Sequence, residues 1–223
     1  MVIKGLLATW AHHVNYSYYT TKSNVAQHTL SDVRDNNTYT VRKLADGNCW
    51  MVENLRLVDK TISASDSNLA PGKTVTIPTH TSSFCGDFDC ANTLQVYDTG
   101  NNTNGAYYNW YTATGTNGVY PYPSSVSSYD ICPKGWRLPT GASGGEFEQL
   151  NTKYTSQTSM FGAPGYTFSG FIIGSSVENG QARFWSNTAV SWAAYGLHLA
   201  PSTVWPSNSY NFYMGFAIRC LAK

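Results

Sequence analysis

The sequence predicts an α+β protein with a small twisted antiparallel sheet, one or two helices and long loops. Only 12% of the 223 residues are charged, whereas 14% are aromatic, and Gly, Ser, Thr and Asn are abundant. This composition is typical of a loop-rich β protein. One strong hairpin signal and one amphipathic helix pattern complete the prediction. The chain is long enough to bury a hydrophobic core.

The hairpin signal lies between Thr38 and Leu57. β-branched and aromatic residues flank the pair Asp46-Gly47, which suits a tight turn between two strands. From Val58 to Thr103 the chain is rich in Ser, Thr, Asn and Pro, which predicts long irregular excursions with short strands such as "KTVTIP".

Two helices are predicted in the middle of the chain. In "GAYYNWYTAT", three aromatic residues at helical spacing predict a short buried helix: Tyr107, Trp110 and Tyr111. The better helix is predicted over residues 144–154, where Ser143 and Glu146 match a capping box. Three residues recur on one face of this helix: Phe147, Leu150 and Tyr154. Short strands separated by Gly are predicted after it, in "YTFSGFIIG", "ARFWSNT", "YGLHLA" and "MGFAIRC".

Charge and hydropathy exclude two classes of partner. A net charge of +1 and a pI near 7.6 provide no basic surface for a phosphate backbone, so nucleic acid is not expected as a partner. No apolar run approaches the roughly 18 residues that a membrane span needs. No motif for a cofactor or a metal stands out, and none is predicted.

Five cysteines lie at Cys49, Cys85, Cys90, Cys132 and Cys220. Cys85 and Cys90 are close enough for a local disulfide, and Cys132 meets Cys220 if the terminal strand returns to the middle of the chain. Zinc binding is the competing interpretation, although no C-x-x-C pair exists. Disulfides would imply an oxidising compartment.

Five blocks of sequence occur in the order found in the Fibrobacter succinogenes major paralogous domain, and the chain resembles that family from about Thr38 to Cys220. The blocks are "YTVRKLADGNCWMVENLRL", "GAYYNWYTATG", "ICPKGWRLPT", "FWSNT" and "GFAIRC". The family is similar to the C-type lectin fold, as are formylglycine-generating enzymes and the variable proteins of diversity-generating retroelements. In the variable proteins the diversified segment lies near the C-terminus.

Residues 1–30, which are rich in Tyr, Thr and His, are predicted to form an N-terminal arm. The resemblance implies a C-type lectin-like domain over residues 31–223. It implies that "TYTVRKL" pairs with "FAIRC" and that Cys132 and Cys220 form a bridge. Cys49 would be the leftover thiol or an alternative partner, and it is expected to be buried within "CWM". Three tryptophans are expected in the core: Trp50, Trp136 and Trp185. Arg137 is expected to tie loops together through backbone carbonyls.

Neither catalysis nor calcium binding is predicted. A formylglycine-generating enzyme needs a pair of cysteines in its C-terminal region, where this chain has Cys220 alone. No nucleophile motif is present. Calcium-binding lectins of this fold use Glu-Pro-Asn or Gln-Pro-Asp and Trp-Asn-Asp triplets, but here no acid follows Asn187. Asp87 and Asp89 in "CGDFDC" are interpreted as a solvated turn.

The segment from Phe184 to Ile218 contains no Asp, Glu, Lys or Arg but nine Phe, Tyr or Trp residues. Aromatic rings with small polar groups are typical of antibody-like contact surfaces, and lack of charge lowers the cost of desolvation. The predicted ligand-binding residues are Asn187, Thr188, Ser191, Trp192, Ala193, Tyr195, His198, Trp205, Ser207, Asn208, Tyr210, Asn211 and Tyr213. The alternative is that these aromatics only fill the interior.

The sequence therefore predicts a non-enzymatic binding protein on an extracellular or cell surface. Its C-terminal face would recognise a protein or glycan target on another cell, as a variable protein of a diversity-generating retroelement does. The alternative is a structural subunit of a surface filament or pilus-like assembly. In that case the arm "LLATWAHHVNYSYYT" would mediate self-assembly by insertion into a neighbouring subunit.

Overall fold

The fold was analysed in a computed structural model that describes residues 27–85, 93–116, 126–191 and 193–223 and the backbone of strand 17–19. The strands are β1 (Ser17–Tyr19), β2 (Gln27–Ser31), β3 (Thr38–Lys43), β4 (Cys49–Met51), β5 (Lys60–Ser63), β6 (Thr74–Ile77), β7 (Val96–Asn101), β8 (Gly105–Tyr108), β9 (Trp136–Arg137), β10 (Phe171–Ile173), β11 (Ser176–Glu178), β12 (Ala182–Val190), β13 (Ala193–Ala200), β14 (Thr203–Asn211) and β15 (Leu221–Ala222). The helices are α1 (Trp110–Ala113), α2 (Glu146–Lys153) and α3 (Gln157–Phe161). Small antiparallel sheets with few helices confirm the α+β class.

The largest sheet has the strand order β1-β2-β3-β4-β15-β9, and β12-β13-β14 form a separate three-stranded sheet. The strand pairs β5-β6, β7-β8 and β10-β11 are two-stranded. The predicted strand in "KTVTIP" is confirmed as β6. The predicted strand in "MGFAIRC" does not form. Gly215 and Phe216 each pair with a single residue of another element, and these contacts are isolated bridges.

The predicted hairpin at Asp46-Gly47 is confirmed by the pairing of β3 with β4. Lys43 pairs with Cys49, and the amide of Leu44 donates to the carbonyl of Asn48 at 2.9 Å. Gly47 has φ +90°, a conformation that a side chain disfavours.

The C-terminal strand joins the same sheet, but not beside β3 as the family resemblance implied. Leu221 in β15 pairs with Trp50 in β4, and the amide of Met51 donates to the carbonyl of Cys220 at 2.9 Å. The hairpin places β4 on one side of β3, so the returning chain pairs with the open edge of β4. Strand β3 and the C-terminal strand β15 therefore belong to the same sheet, with β4 between them.

Helix α1 is shorter than the aromatic spacing indicated. Tyr107 lies in strand β8, and only Trp110–Ala113 are helical. The side chain of Asn109 caps the helix by accepting from the amide of Thr112 at 3.0 Å. This cap fixes the start of the helix after Tyr107. Tyr107 therefore stays in strand β8, where it pairs with Tyr97 of β7.

Helix α2 covers 146–153 of the predicted 144–154, but the predicted capping box is wrong. Gly145 is the N-cap and makes no side-chain cap. The carboxylate of Glu146 instead accepts from the Thr140 amide at 2.6 Å and from the Arg137 guanidinium. Arg137 also donates to the carbonyl of Leu138 at 3.0 Å, so it ties this loop through both a carbonyl and a carboxylate. A capping box does occur at Ser156, before α3.

Three core predictions are confirmed, because Trp50, Trp136 and Trp185 are all buried. Cys132 and Cys220 form the predicted disulfide and are also buried. The prediction for Cys49 is wrong, since this free thiol is exposed. It occupies the first position of β4, directly after the hairpin turn, where the sheet ends.

Several predictions fall partly outside the described residues. Cys85 is disulfide-bonded, whereas Cys90, Asp87 and Asp89 lie outside them. Strand β2 crosses the predicted boundary between residues 30 and 31, while residues 1–16 and 20–26 of the arm lie outside them. Within the described ranges, no helix has the length and apolar character to cross a membrane. In the same ranges no three His, Cys, Asp or Glu side chains group as metal ligands.

Candidate binding site on the three-stranded sheet

The predicted site residues lie on or beside the sheet β12-β13-β14, which has two unlike faces. Alternation along the strands sends Phe184, Leu197 and Leu199 to one face, where they share a buried cluster with Phe147 and Leu150 of α2. This face, named the helix face here, fixes the sheet against α2.

The other face, named the open face because its outer edge at β14 is exposed, carries a row of three side chains across the three strands. Toward β12 this face is covered by Phe171 and Phe216. Arg183 of β12 pairs with His198 of β13, and His198 pairs with Trp205 of β14. The next pairs along the sheet are Trp185 with Gly196 and Gly196 with Asn208. Cross-strand partners share a face, so the row Arg183–His198–Trp205 is continuous.

A register shift in β14 determines which side chains reach the open face. Trp205 and Asn208 are three positions apart, whereas their partners His198 and Gly196 are two positions apart. The extra residue lies at Pro206-Ser207, and proline fits such a bulge because it has no amide to donate. The bulge therefore turns Trp205 to the same face as Asn208.

Aromatic rings pack against the guanidinium of Arg183 on this face of the sheet. Its carbon lies 3.8 Å from the ring centre of Phe171 and 4.5 Å from that of Tyr210. Phe216 lies 5.6 Å away and stacks on Trp185 with ring centres 4.1 Å apart. These buried rings hold the cation through cation–π contacts.

Arg183 has no ion pair and donates no hydrogen bond within the described part of the chain. Its Nε atom is buried without a partner there, and the residue as a whole is half-buried. Burial lowers the pKa of the guanidinium, while Tyr210 and the nearby Glu178 oppose that shift. A cation without a counter-ion on a partly open face is available to an anionic group.

His198 lies between Arg183 and Trp205 in the row. Its Nε2 atom is 2.7 Å from Oε1 of Gln181, and its ring centre is 4.7 Å from that of Trp205. Burial and the charge of Arg183 lower its pKa to about 4, so the imidazole is neutral at pH 7. With Nε2 donating to Gln181, Nδ1 becomes an acceptor, and it is buried without a partner in the described ranges.

The outer end of the row is accessible. Trp205 is 42% exposed, and Asn208 is exposed beside it. The Asn208 amide donates to the hydroxyl of Tyr210 at 2.9 Å, which orients both groups. Gly196 leaves the centre of the face without a side chain, and an added Cβ would lie 2.7 Å from the Phe184 carbonyl.

The structure brings together four predicted residues on the open face: Trp205 and Asn208, which are exposed, and His198 and Tyr210, which are buried. Three others are buried elsewhere: Asn187, Thr188 and Ala193. The amide of Asn187 donates to the Pro139 carbonyl at 2.8 Å, and the Thr188 hydroxyl accepts from the Gly141 amide at 3.0 Å. These contacts anchor the loop before α2, so packing explains Asn187 and Thr188 better than binding does.

The remaining predicted residues are dispersed. Four are half-buried: Tyr195, Ser207, Asn211 and Tyr213. The Ser207 hydroxyl donates to the Ala142 carbonyl at 3.0 Å, and the Asn211 amide donates to the Tyr213 hydroxyl at 2.7 Å. Ser191 is exposed, with φ +20°, at the turn between β12 and β13. Trp192 lies outside the described residues.

Sequence reasoning missed Arg183, Gln181 and Phe171, although one signal was present. Arg183 lies two residues before Trp185 in a predicted strand, so alternation places both side chains on the same face. Phe171 comes from a distant strand, and no sequence pattern links it to Arg183. The uncharged segment begins at Phe184, so it does not include Arg183, the one cation of the row.

The open face combines a fixed cation, a neutral imidazole, an amide and an exposed indole. Such a set can bind a ligand through ring stacking and hydrogen bonds without performing a reaction. The chain matches no protein-family model, no curated protein and no solved structure. The family resemblance therefore depends on the five sequence blocks alone.

Proposed function

We propose that the protein is a non-enzymatic binding protein, displayed outside the cell, that recognises a protein or glycan target through the open face. The proposal includes the C-type lectin-like fold and the relation to the Fibrobacter family. Sequence blocks in family order and a sheet that joins distant parts of the chain support this assignment. The Cys132–Cys220 disulfide supports an oxidising location.

The observation that carries the proposal is the exposed indole of Trp205 within a fixed polar and aromatic row. A tryptophan that is 42% exposed offers roughly 100 Å² to a partner, if the whole side chain presents about 250 Å². At about 25 cal/mol per Å², covering this area contributes about 2.5 kcal/mol. Aromatic contacts hold Arg183 and Trp205 in place before a ligand binds, so little ordering entropy is lost on binding.

Genetic diversification of this surface is part of the proposal. Asn208 and Ser209 are exposed in β14, so replacing them would disturb little packing. A near-duplicate template DNA and a reverse-transcriptase gene beside the coding sequence would support diversification. If the locus lacks both, this part of the proposal is wrong.

The alternative of a filament subunit depends on the arm, most of which lies outside the described residues. Solution sizing of the full chain distinguishes the two functions. A binding protein of this kind is expected to be a monodisperse monomer, whereas insertion of the arm into a neighbour predicts concentration-dependent oligomers.

The proposal is tested by screening the full chain against an array of defined glycans and extracellular peptides. The test variant is Trp205→Ala, and the matched control is Tyr129→Ala, because Tyr129 is an aromatic residue with the same 42% exposure. Tyr129 follows the bridge between Val126 and Thr188, which lies about 16 Å along β12 from Arg183.

We expect Trp205→Ala to weaken binding at least tenfold and Tyr129→Ala to change it less than twofold. Thermal unfolding of both variants checks that each keeps the fold. Equal loss in the two variants, or no loss in either, would show that the open face is not the binding surface.

A further inference from the structure

We infer that the row Arg183–His198–Trp205 binds a sugar ring that carries a carboxylate, that is, a uronic acid residue of an acidic glycan. This inference rests on the proposed function and names the ligand class of the same face. It is argued from the unpaired cation, the exposed indole and the hydrogen-bonding groups between them.

The carboxylate of the ligand is inferred from the lack of a counter-ion for Arg183 in the described residues. Its amino groups make no hydrogen bond within the described residues, and the one acid that acts on it, Glu178, is too distant for an ion pair. A guanidinium matches a carboxylate with two parallel hydrogen bonds. The rings of Phe171 and Tyr210 fix its plane, so the fork is preorganised for such a ligand.

The sugar ring is assigned from the other end of the row. Neighbouring strands lie about 4.8 Å apart, so Trp205 is about 10 Å from Arg183 across the sheet. One ring stacked on the indole, with its carboxylate directed toward β12, spans this distance. The indole of Trp205 is exposed at the outer edge of the sheet, which leaves one of its sides for the ring.

The groups between the two ends fit hydroxyls better than they fit a second charge. His198 is paired with Gln181, and Nδ1 of His198 and Nε of Arg183 are buried without partners in the described ranges. Both atoms are buried, so a water inserted beside the row, rather than a ligand atom, would complete their hydrogen bonds. An acidic peptide would satisfy Arg183 but has no ring of hydroxyls for the rest of the row.

The experiment measures binding of three probes to the full chain by calorimetry: tetragalacturonate, its methyl ester and the neutral galactose tetramer. An acidic peptide of alternating Asp and Gly is the fourth probe. We expect the acid to bind at least tenfold more tightly than its ester or the neutral sugar. The peptide is expected to bind more weakly than tetragalacturonate.

Two substitutions of Arg183 and one control locate the effect. Arg183→Met is expected to weaken tetragalacturonate binding at least tenfold and to leave binding of the ester unchanged. Arg183→Lys keeps the charge without the fork and is expected to give an intermediate loss, which keeps the test valid if the methionine variant does not fold. Lys60→Gln removes an equal charge from an exposed position in β5 and should have less than a twofold effect.

The outcomes separate this inference from the proposed function. Equal binding of the acid and the ester would show that the site does not recognise a carboxylate. Tighter binding of the peptide would show that the ligand is not a sugar. Failure of all four probes would overturn the inference as a whole. The proposed function would still be judged by whether Trp205→Ala loses the targets found on the array.

Discussion

Removal of the disulfide between Cys132 and Cys220 is expected to destabilise the protein by about 4.5 kcal/mol. The bond links residues 88 apart in sequence, and both sulfur-bearing residues are fully buried. Cys132 precedes β9 and Cys220 precedes β15, so the bond links the segments that lead into these two neighbouring strands of the large sheet. The double variant Cys132→Ala/Cys220→Ala removes it and leaves Cys85 unchanged.

The magnitude follows from the loop that the bond closes in the unfolded chain. For a loop of 88 residues the loss of entropy is about 15 cal/mol/K, which corresponds to about 4.6 kcal/mol at 25 °C. This is a large part of the 5–15 kcal/mol that holds a typical domain folded. The backbone contact from Met51 to the Cys220 carbonyl remains in the variant, so the sheet order should persist in the native state.

Urea unfolding followed by tryptophan fluorescence measures the free energy and its dependence on denaturant. The variant should show a lower free energy and a larger m-value, because its unfolded chain is less compact. Cys49→Ala is the matched control, since this thiol is exposed and unpaired, and it should change the free energy by less than about 0.5 kcal/mol. A loss below about 1 kcal/mol in the double variant, with an unchanged m-value, would refute the reasoning.

Two further predictions concern burial and backbone geometry. Burial raises the pKa of Asp130 to about 6, so its contribution to stability is fully present below pH 4 and decreases as the pH rises through 6. The loss of unfolding free energy in Asp130→Asn, measured by urea titration, should therefore be larger at pH 4 than at pH 7 by up to about 3 kcal/mol; equal losses would contradict this. Gly105→Ala should cost more than about 2 kcal/mol, because φ is +73° and the new Cβ would lie 2.6 Å from Cβ of Asn54. Gly174→Ala, with φ +58° but nothing within 4 Å, should cost about 1 kcal/mol, and similar melting temperatures for the two variants would show that crowding is not the cause.

Local sequence patterns were sufficient where short-range physics decides the structure. The Asp46-Gly47 turn and helix α2 were predictable, because each depends on residues a few positions apart. The buried tryptophans followed from their size and apolar surroundings. The Cys132–Cys220 pairing came from the family resemblance, since spacing alone left the alternatives open.

Tertiary contacts decided the features that local patterns described wrongly. Glu146 was expected to cap its own helix, but Arg137 and the Thr140 amide take its carboxylate. Asn187 and Thr188 look like surface polar residues, yet they hold the loop before α2. In both cases a partner outside the local pattern takes the polar group, six or nine residues away for Glu146 and 47 residues away for Thr188.

The sequence by itself determined the α+β class, the main hairpin and the aromatic, uncharged character of the C-terminal segment. Only the tertiary structure decided which of those side chains share a face. Strict alternation would place Trp205 and Asn208 on opposite faces of the sheet. The bulge at Pro206-Ser207 places both side chains on the same face. Arg183 joins the row because β12 pairs with β13 and because Phe171 and Phe216 arrive from other parts of the chain. Side-chain direction within a strand is a local property, but strand register and the rings beneath a cation depend on contacts between distant residues.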